Sequence, residues 1–345
     1  MNQEYYLNFK EQFPLPLVSY LFEKTDYGNN DYVCLYDGEQ KAFSVYLTKA
    51  GMEQAYLMGK RYLLDNDQWQ EIFNELKQKF VVIDKINQTQ IPKFDSKYFN
   101  EWWQMLLAYI KDICDVYVLC EESSLLSLEE QKDNTGIYKR LEFIGQFRLK
   151  AHHYLSVLHL LFEKVIIKAG KEFQIALDDI EIMTFDEFSN LIFNKKFVNA
   201  PALLQRKSGY VFRKNWVIHT DHEYLGLRDK LSVNKTEKKV TGRVSYQVNE
   251  KVVGRAKLHL SFSHVPDLPQ DCILITGMTN PQLVPVLKYV KAIVTDEGGL
   301  MCHAAIISRE LGIPCVVGTR CATQIFNDGD LVEVDTSSGS VRKLD

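Results

Sequence analysis

The stretch TDEGGLMCHAAIISRELGIPCVVGT, running from Thr295 to Thr319, decides how this chain is read. Ala292, Ile293 and Val294 just before it are consecutive apolar residues and read as the end of a strand. The Gly298-Gly299 pair lets the backbone turn sharply, and the residues from Cys302 to Leu311 have helical composition. His303 therefore falls at a helix N-terminus. Unpaired N–H groups and the positive end of the helix dipole favour an anion there, so a phosphoryl group carried on the ring is stabilised. An imidazole of ordinary pKa is mostly neutral at pH 7, and the neutral ring is the nucleophile that phosphoryl transfer needs.

A single histidine after a glycine turn is more often a plain helix-start residue, and a motif match is only a hypothesis. Here the whole run, continued by Gly312-Ile313-Pro314 and Val316-Val317-Gly318, resembles the phosphohistidine signature of the PEP-utilising enzymes. That family includes PEP synthase, pyruvate phosphate dikinase, rifampicin phosphotransferase and phenylphosphate synthase. The resemblance covers about the last hundred residues. Gly242 and Gly254 flank a segment similar to the family's opening strands, and Thr279-Asn280-Pro281 is similar to its Thr-x-Pro turn. Asn327 to Asp335 and Gly339 to Val341 resemble its closing hairpin. The resemblance implies a mobile, swivelling domain with a β/β/α layered architecture over residues 238–345. It also implies that His303 is the phosphorylated nucleophile, supported by Thr295, Gly298, Gly299, Cys302 and Ala304. Met301 stands where many members have a threonine, a regulatory phosphorylation site in the plant dikinases, so control through that hydroxyl is not available here.

Residues 1–235 read differently. Apolar residues recur at helical spacing from Trp69 to Phe80, from Phe99 to Ile113, and in a longer stripe from Ile144 to Val165. Thr184-Phe-Asp-Glu187 is a capping box opening a short helix that buries Phe188, Leu191 and Ile192. Only residues 32–47 break the helical pattern, as a β-hairpin around Asp37-Gly38. The segment from Asp178, preceded by the long helix with Arg148, is similar to the helical linker before the swivelling domain in PEP synthase-like proteins. The expected class is α+β: a mostly helical N-terminal region, then the swivelling domain, hinged at Asn234–Lys239.

Composition sets the limits. At 345 residues, 46% hydrophobic, the chain is long enough for two buried cores. A net charge of −4 without long runs of one sign gives no footprint for nucleic acid or an anionic membrane. With no leader-like start and no long uncharged apolar run, the expectation is a cytoplasmic protein. Seven cysteines at scattered positions, with no Cys-x-x-Cys pair, read as reduced thiols, Cys302 being a small residue packed beneath the turn. His152, His153 and His159 do not have the spacing of a metal pair, and His219 and His222 lack a readable third ligand, so no metal is expected. Glu101-Trp102-Trp103 reads as core packing and Arg309 as structural or docking.

No Gly-rich phosphate loop with a Lys, Arg and acidic metal-ligand set appears, and no PEP-binding barrel follows the swivelling domain. The resemblance then implies a phosphoryl carrier that binds no cofactor of its own. It would meet Mg-ATP or PEP on a partner subunit, with a separate ATP-grasp subunit as the first station, and serve a small-molecule acceptor. A non-catalytic regulatory or interaction protein that keeps the fold is the alternative. A self-contained phosphotransferase with an unfamiliar nucleotide site in residues 1–130 is a third.

Overall fold

The computed structural model describes residues 5–11, 15–24, 32–38, 42–64, 68–87, 90–119, 135–198, 200–213, 218, 220, 222–231, 238–248, 250–260, 265–299 and 302–344. The chain is α+β. Its first half contains β1 (Tyr5–Glu11), α1 (Leu15–Lys24), β2 (Tyr32–Asp37), β3 (Ala42–Thr48), α2 (Lys49–Leu64) and α3 (Gln68–Asn87). There follow α4 (Lys97–Leu119), α5 (Thr135–Phe173), α6 (Leu177–Ile180), α7 (Phe185–Asn194), α8 (Ala200–Lys207), β4 (Gly209–Arg213) and α9 (His222–Leu231).

The apolar stripes expected on α4 and α5 are the packing faces of those helices, and Phe80 of α3 is buried with them. Phe99, Trp103, Leu106, Ile110 and Ile113 recur every three or four residues on α4, and all are buried against the matching stripe of α5. Trp103 meets Phe162 with ring centroids 5.4 Å apart. Truncating either of these fully buried rings to Ala is worth about 3–5 kcal/mol. Thr184 caps α7: its hydroxyl accepts from the Glu187 N–H at 3.3 Å, while its own N–H donates to the Glu187 carboxylate at 2.8 Å. Arg206 grips that carboxylate with two bonds of 2.6 and 2.9 Å, tying α8 to the start of α7.

One expectation is corrected. The hairpin of residues 32–47 exists, but it is the middle of a four-stranded sheet ordered β1-β3-β2-β4. Two edge strands escaped the reading of the residues. A register shift between Leu7 and Phe9 spoils the alternation of β1, and β4 is only five residues long and begins with a glycine. The expected hinge lies largely outside the described residues, which exclude Asn234 to Glu237.

From Lys239 on, the elements are β5 (Lys239–Thr241), β6 (Arg243–Tyr246), β7 (Val252–His259), β8 (Cys272–Thr276), a 3₁₀ turn at Pro281–Leu283, α10 (Val284–Leu287) and β9 (Val290–Thr295). They continue with α11 (His303–Leu311), β10 (Cys315–Val317), α12 (Ala322–Ile325), β11 (Leu331–Asp335) and β12 (Ser340–Lys343). The strand order is β5-β12-β11-β7-β8-β9-β10-β6. The first half of β7 pairs antiparallel with β11 and its second half pairs parallel with β8, so one strand serves two layers.

Residues of β8 and β9 alternate between two cores. Ile273, Ile275, Ala292 and Val294 pack toward Val332, Val334 and Val341 of the other layer. Cys272, Leu274 and Ile293 pack toward Ala304 and Ala305 of α11. Burial on both faces explains why these parallel strands read as continuous apolar runs. The result is the expected order of layers, β on β on α.

Candidate functional site

The cleft around His303 is built at the C-terminal ends of two parallel strands, a common place for ligand sites in such sheets. Thr276 and Thr295 end β8 and β9 in register. The loops that follow them are stitched together: Asp296 N–H donates to Thr276 O at 3.1 Å, and Glu297 N–H donates to Gly277 O at 3.0 Å. The loop after β10 joins them, with Gly318 N–H on Glu297 O at 3.2 Å and Thr319 N–H on Thr295 O at 3.0 Å.

Asp296 secures this junction. It is 3% exposed, and its carboxylate accepts from the Thr319 hydroxyl at 3.1 Å, the Thr323 N–H at 3.1 Å and the Thr323 hydroxyl. A buried carboxylate persists only with such partners. Asp296 is absent from the residues expected at the site, and its one signal in the sequence is its position directly after a buried strand.

The turn into α11 has the geometry that Gly298 permits. Its φ is +102°, and a Cβ there would sit 2.6 Å from Cys302 Sγ and 2.9 Å from Cys302 Cβ. The carbonyl of Gly299 accepts from Cys302 N–H at 3.1 Å. Cys302 is the N-cap, extended at φ −72°, ψ 166°, and its Sγ accepts from Ala305 N–H at 3.4 Å. Its task is to start the helix. Arg309 donates to Ser245 Oγ of β6 at 3.1 Å, six residues beyond His303.

His303 is the first residue of α11 and is half-buried. Its Nδ1 lies 2.7 Å from Thr279 Oγ1. With the Nδ1 proton donated to Thr279, Nε2 carries the lone pair. Burial holds the imidazole well below its usual 6.5, at about 4, so the ring is neutral at pH 7.

The cleft brings together Thr295, Gly298, Cys302, His303 and Ala304 of the foreseen residues, with Gly299 buried in the turn between them. Thr279 was legible as part of a turn but not as the partner of the ring. The cleft's far wall comes from the helical region: Tyr117 of α4 and Arg148 of α5. Tyr117 donates to Met278 Sδ at 3.8 Å, and the Arg148 guanidinium lies 5.5 Å from the centre of the Tyr117 ring. The remaining candidates stay apart from this cleft. His159 is buried beside Glu163 at 3.2 Å, Trp102 and Trp103 are core residues, and His219 and Asp221 lie outside the described residues.

Residues 268–339 match the family model described as PEP-utilising enzyme, mobile domain. A probable phosphoenolpyruvate synthase of Archaeoglobus fulgidus is 36% identical over 160 residues, which are 43% of this chain and 21% of that protein. The phosphoenolpyruvate synthase of Pyrococcus furiosus is 51% identical over 90 residues, 26% of this chain and 11% of that one. The chain thus spans about a fifth or less of the length of these relatives. A solution structure of Enzyme I is 18% identical, covering 85% of this chain and 78% of its own, at a TM-score of 0.21. No helix among the described residues is long and apolar enough to cross a membrane.

Proposed function

From a C-terminal segment that belongs to the PEP-utilising enzyme mobile domains, we propose that this chain is a phosphoryl carrier that takes a phosphoryl group onto Nε2 of His303 and delivers it elsewhere. The Thr279–His303 hydrogen bond carries the reading, because it aims a neutral imidazole at a helix start and, when Nδ1 is the donor, leaves the Nε2 lone pair free. In the loading step the Nε2 lone pair attacks the donor's terminal phosphorus. The N–P bond forms as the bond from phosphorus to the leaving oxygen breaks, and the electron pair departs with that oxygen. The phosphorylated ring then releases its Nδ1 proton to solvent, and the Thr279 hydroxyl, which can donate as well as accept, bonds the bare Nδ1. The positive end of the α11 dipole and its first N–H groups, those not taken by Cys302, would stabilise the transferred charge.

Phosphoryl transfer depends mainly on positioning and charge stabilisation, so a carrier needs a nucleophile, a helix end and freedom to move. Mg-ATP or PEP would be held at a separate station, with an ATP-grasp subunit as the favoured partner and a small molecule as the final acceptor. The two regions, 1–235 and 238–345, would move about residues 234–239. The test is incubation of the chain with ATP or PEP, with and without that partner, followed by intact mass. A gain of one acid-labile, base-stable phosphoryl group on His303 is expected. Full labelling of a His303→Ala variant would sink the assignment.

A further inference from the structure

Arg148 is a cation on the mostly apolar buried face of α5. It sits on α5 between Ile144, Phe147 and Ala151, all buried, and is itself only 7% exposed. A buried guanidinium on a packing face is costly unless it is compensated, and Arg148 has interactions within the fold. What singles it out is its place: Arg148 and His303 line the same cleft from opposite regions of the chain. Tyr117 braces the arrangement, with the cation stacked over its ring and its hydroxyl on Met278, the residue before Thr279.

We propose that Arg148 is the phosphoryl-binding cation of the docked state, so that the helical region is itself a station for the loaded carrier. This rests on His303 being the phosphorylated residue. The bare ring is neutral and needs no counter-charge in a half-buried cleft. A phosphoryl group on Nε2 brings close to two negative charges into the same space, and burial without a cation would drive the two regions apart. The planar fork of arginine matches phosphate oxygens with two parallel hydrogen bonds, which a lysine point charge does not reproduce. Glu297 lines the same cleft, so the cation must offset its carboxylate as well as the phosphoryl group. The unloaded arrangement has a second tie, from Gln324 Nε2 to the Tyr46 hydroxyl at 3.2 Å, which does not involve Arg148.

The test loads the full chain with phosphoramidate, a small phosphoryl donor that needs no partner protein, and follows phosphohistidine by phosphorus NMR and amide exchange by mass spectrometry. In the wild type, loading is expected to slow exchange in α4 around Tyr117 and in α5 around Arg148. Arg148→Gln should lose that protection and shorten the lifetime of the phosphorylated chain about tenfold, with Arg148→Lys between the two. Faster exchange in these helices on loading of the wild type overturns the inference without recourse to any variant. Equal lifetimes and protection in wild type and folded Arg148→Gln overturn it as well. A wild-type chain that takes no phosphoryl group on His303 overturns the carrier reading, and this inference with it.

Discussion

Thr279 and His303 are 24 residues apart in sequence, yet Oγ1 of one lies 2.7 Å from Nδ1 of the other. Two parallel strands ending in register make this contact, since each delivers its following loop to the same edge of the sheet. The contact leaves Nε2 for chemistry. Thr279→Val keeps the shape of the side chain but removes the hydroxyl, freeing the ring to change rotamer. We expect the rate of His303 labelling to fall about tenfold, the worth of one orienting hydrogen bond, with the fold unchanged. Thr279→Ser should retain most of the rate, and quench-flow labelling with circular dichroism as control reads both.

The pH dependence follows from the depressed imidazole. Burial lowers His303 to about 4 in the fold, against 6.5 in the unfolded chain. Above pH 6.5 the ring is neutral in both states and pH has no effect through it. Between 6.5 and 4 the unfolded chain binds a proton that the folded cleft refuses, so stability falls as pH falls through that window. Labelling at His303 should therefore stay level from pH 8 down to about 5, where an ordinary histidine would already be mostly protonated. Titration of the ring's carbon-bound protons by NMR checks this, and a midpoint near 6.5 would show that burial in the cleft does not lower the ring's pKa.

Gly298 sits at φ +102° with Cys302 Sγ where a Cβ would go. Gly298→Val should displace the N-cap and the start of α11, at a cost of about 1–3 kcal/mol. Loss of labelling with a lowered but cooperative denaturation midpoint is the expected pair of results. Normal labelling would mean that the turn tolerates a side chain and that its glycine is not required for the site.

Asp296 is expected to matter for stability before chemistry. Asp296→Ala leaves the Thr323 N–H and the Thr319 and Thr323 hydroxyls without their acceptor in a buried junction. A loss of about 2–4 kcal/mol by urea denaturation is expected. Asp296→Asn, which keeps one acceptor oxygen, should cost less.

What was legible in the sequence was local. The helix start at His303, the glycine turn, the capping box of Thr184 and the long stripes of α4 and α5 are all set by residues within a few positions of one another. Pairings across the chain were not. The strands β1 and β4 gain their identity from neighbours in the sheet, and β1 carries an irregularity that hides its alternation. Thr279 was recognised as part of a turn but not as the ring's partner, because only the register of β8 and β9 brings them together. Arg148 was legible only as part of a linker-like helix, and its place in the wall of the His303 cleft depends on how distant parts of the chain pack.

Movement of the two regions can be probed by limited proteolysis. If they rotate about residues 234–239, cleavage with trypsin should fall first near Lys238 and Lys239 and yield two fragments that remain folded. First cleavage elsewhere would argue for one rigid body.

The most direct measurement is the site of phosphoryl attachment. The full chain, mixed with each donor and with the candidate ATP-grasp partner, is digested under alkaline conditions and the peptide spanning Thr295–Thr319 is sequenced by mass spectrometry. The account predicts one phosphoryl group, stable to base and labile to acid, on His303 and absent from His303→Ala. Phosphate on a hydroxyl residue instead, or none with either donor while the partner is active, would contradict it.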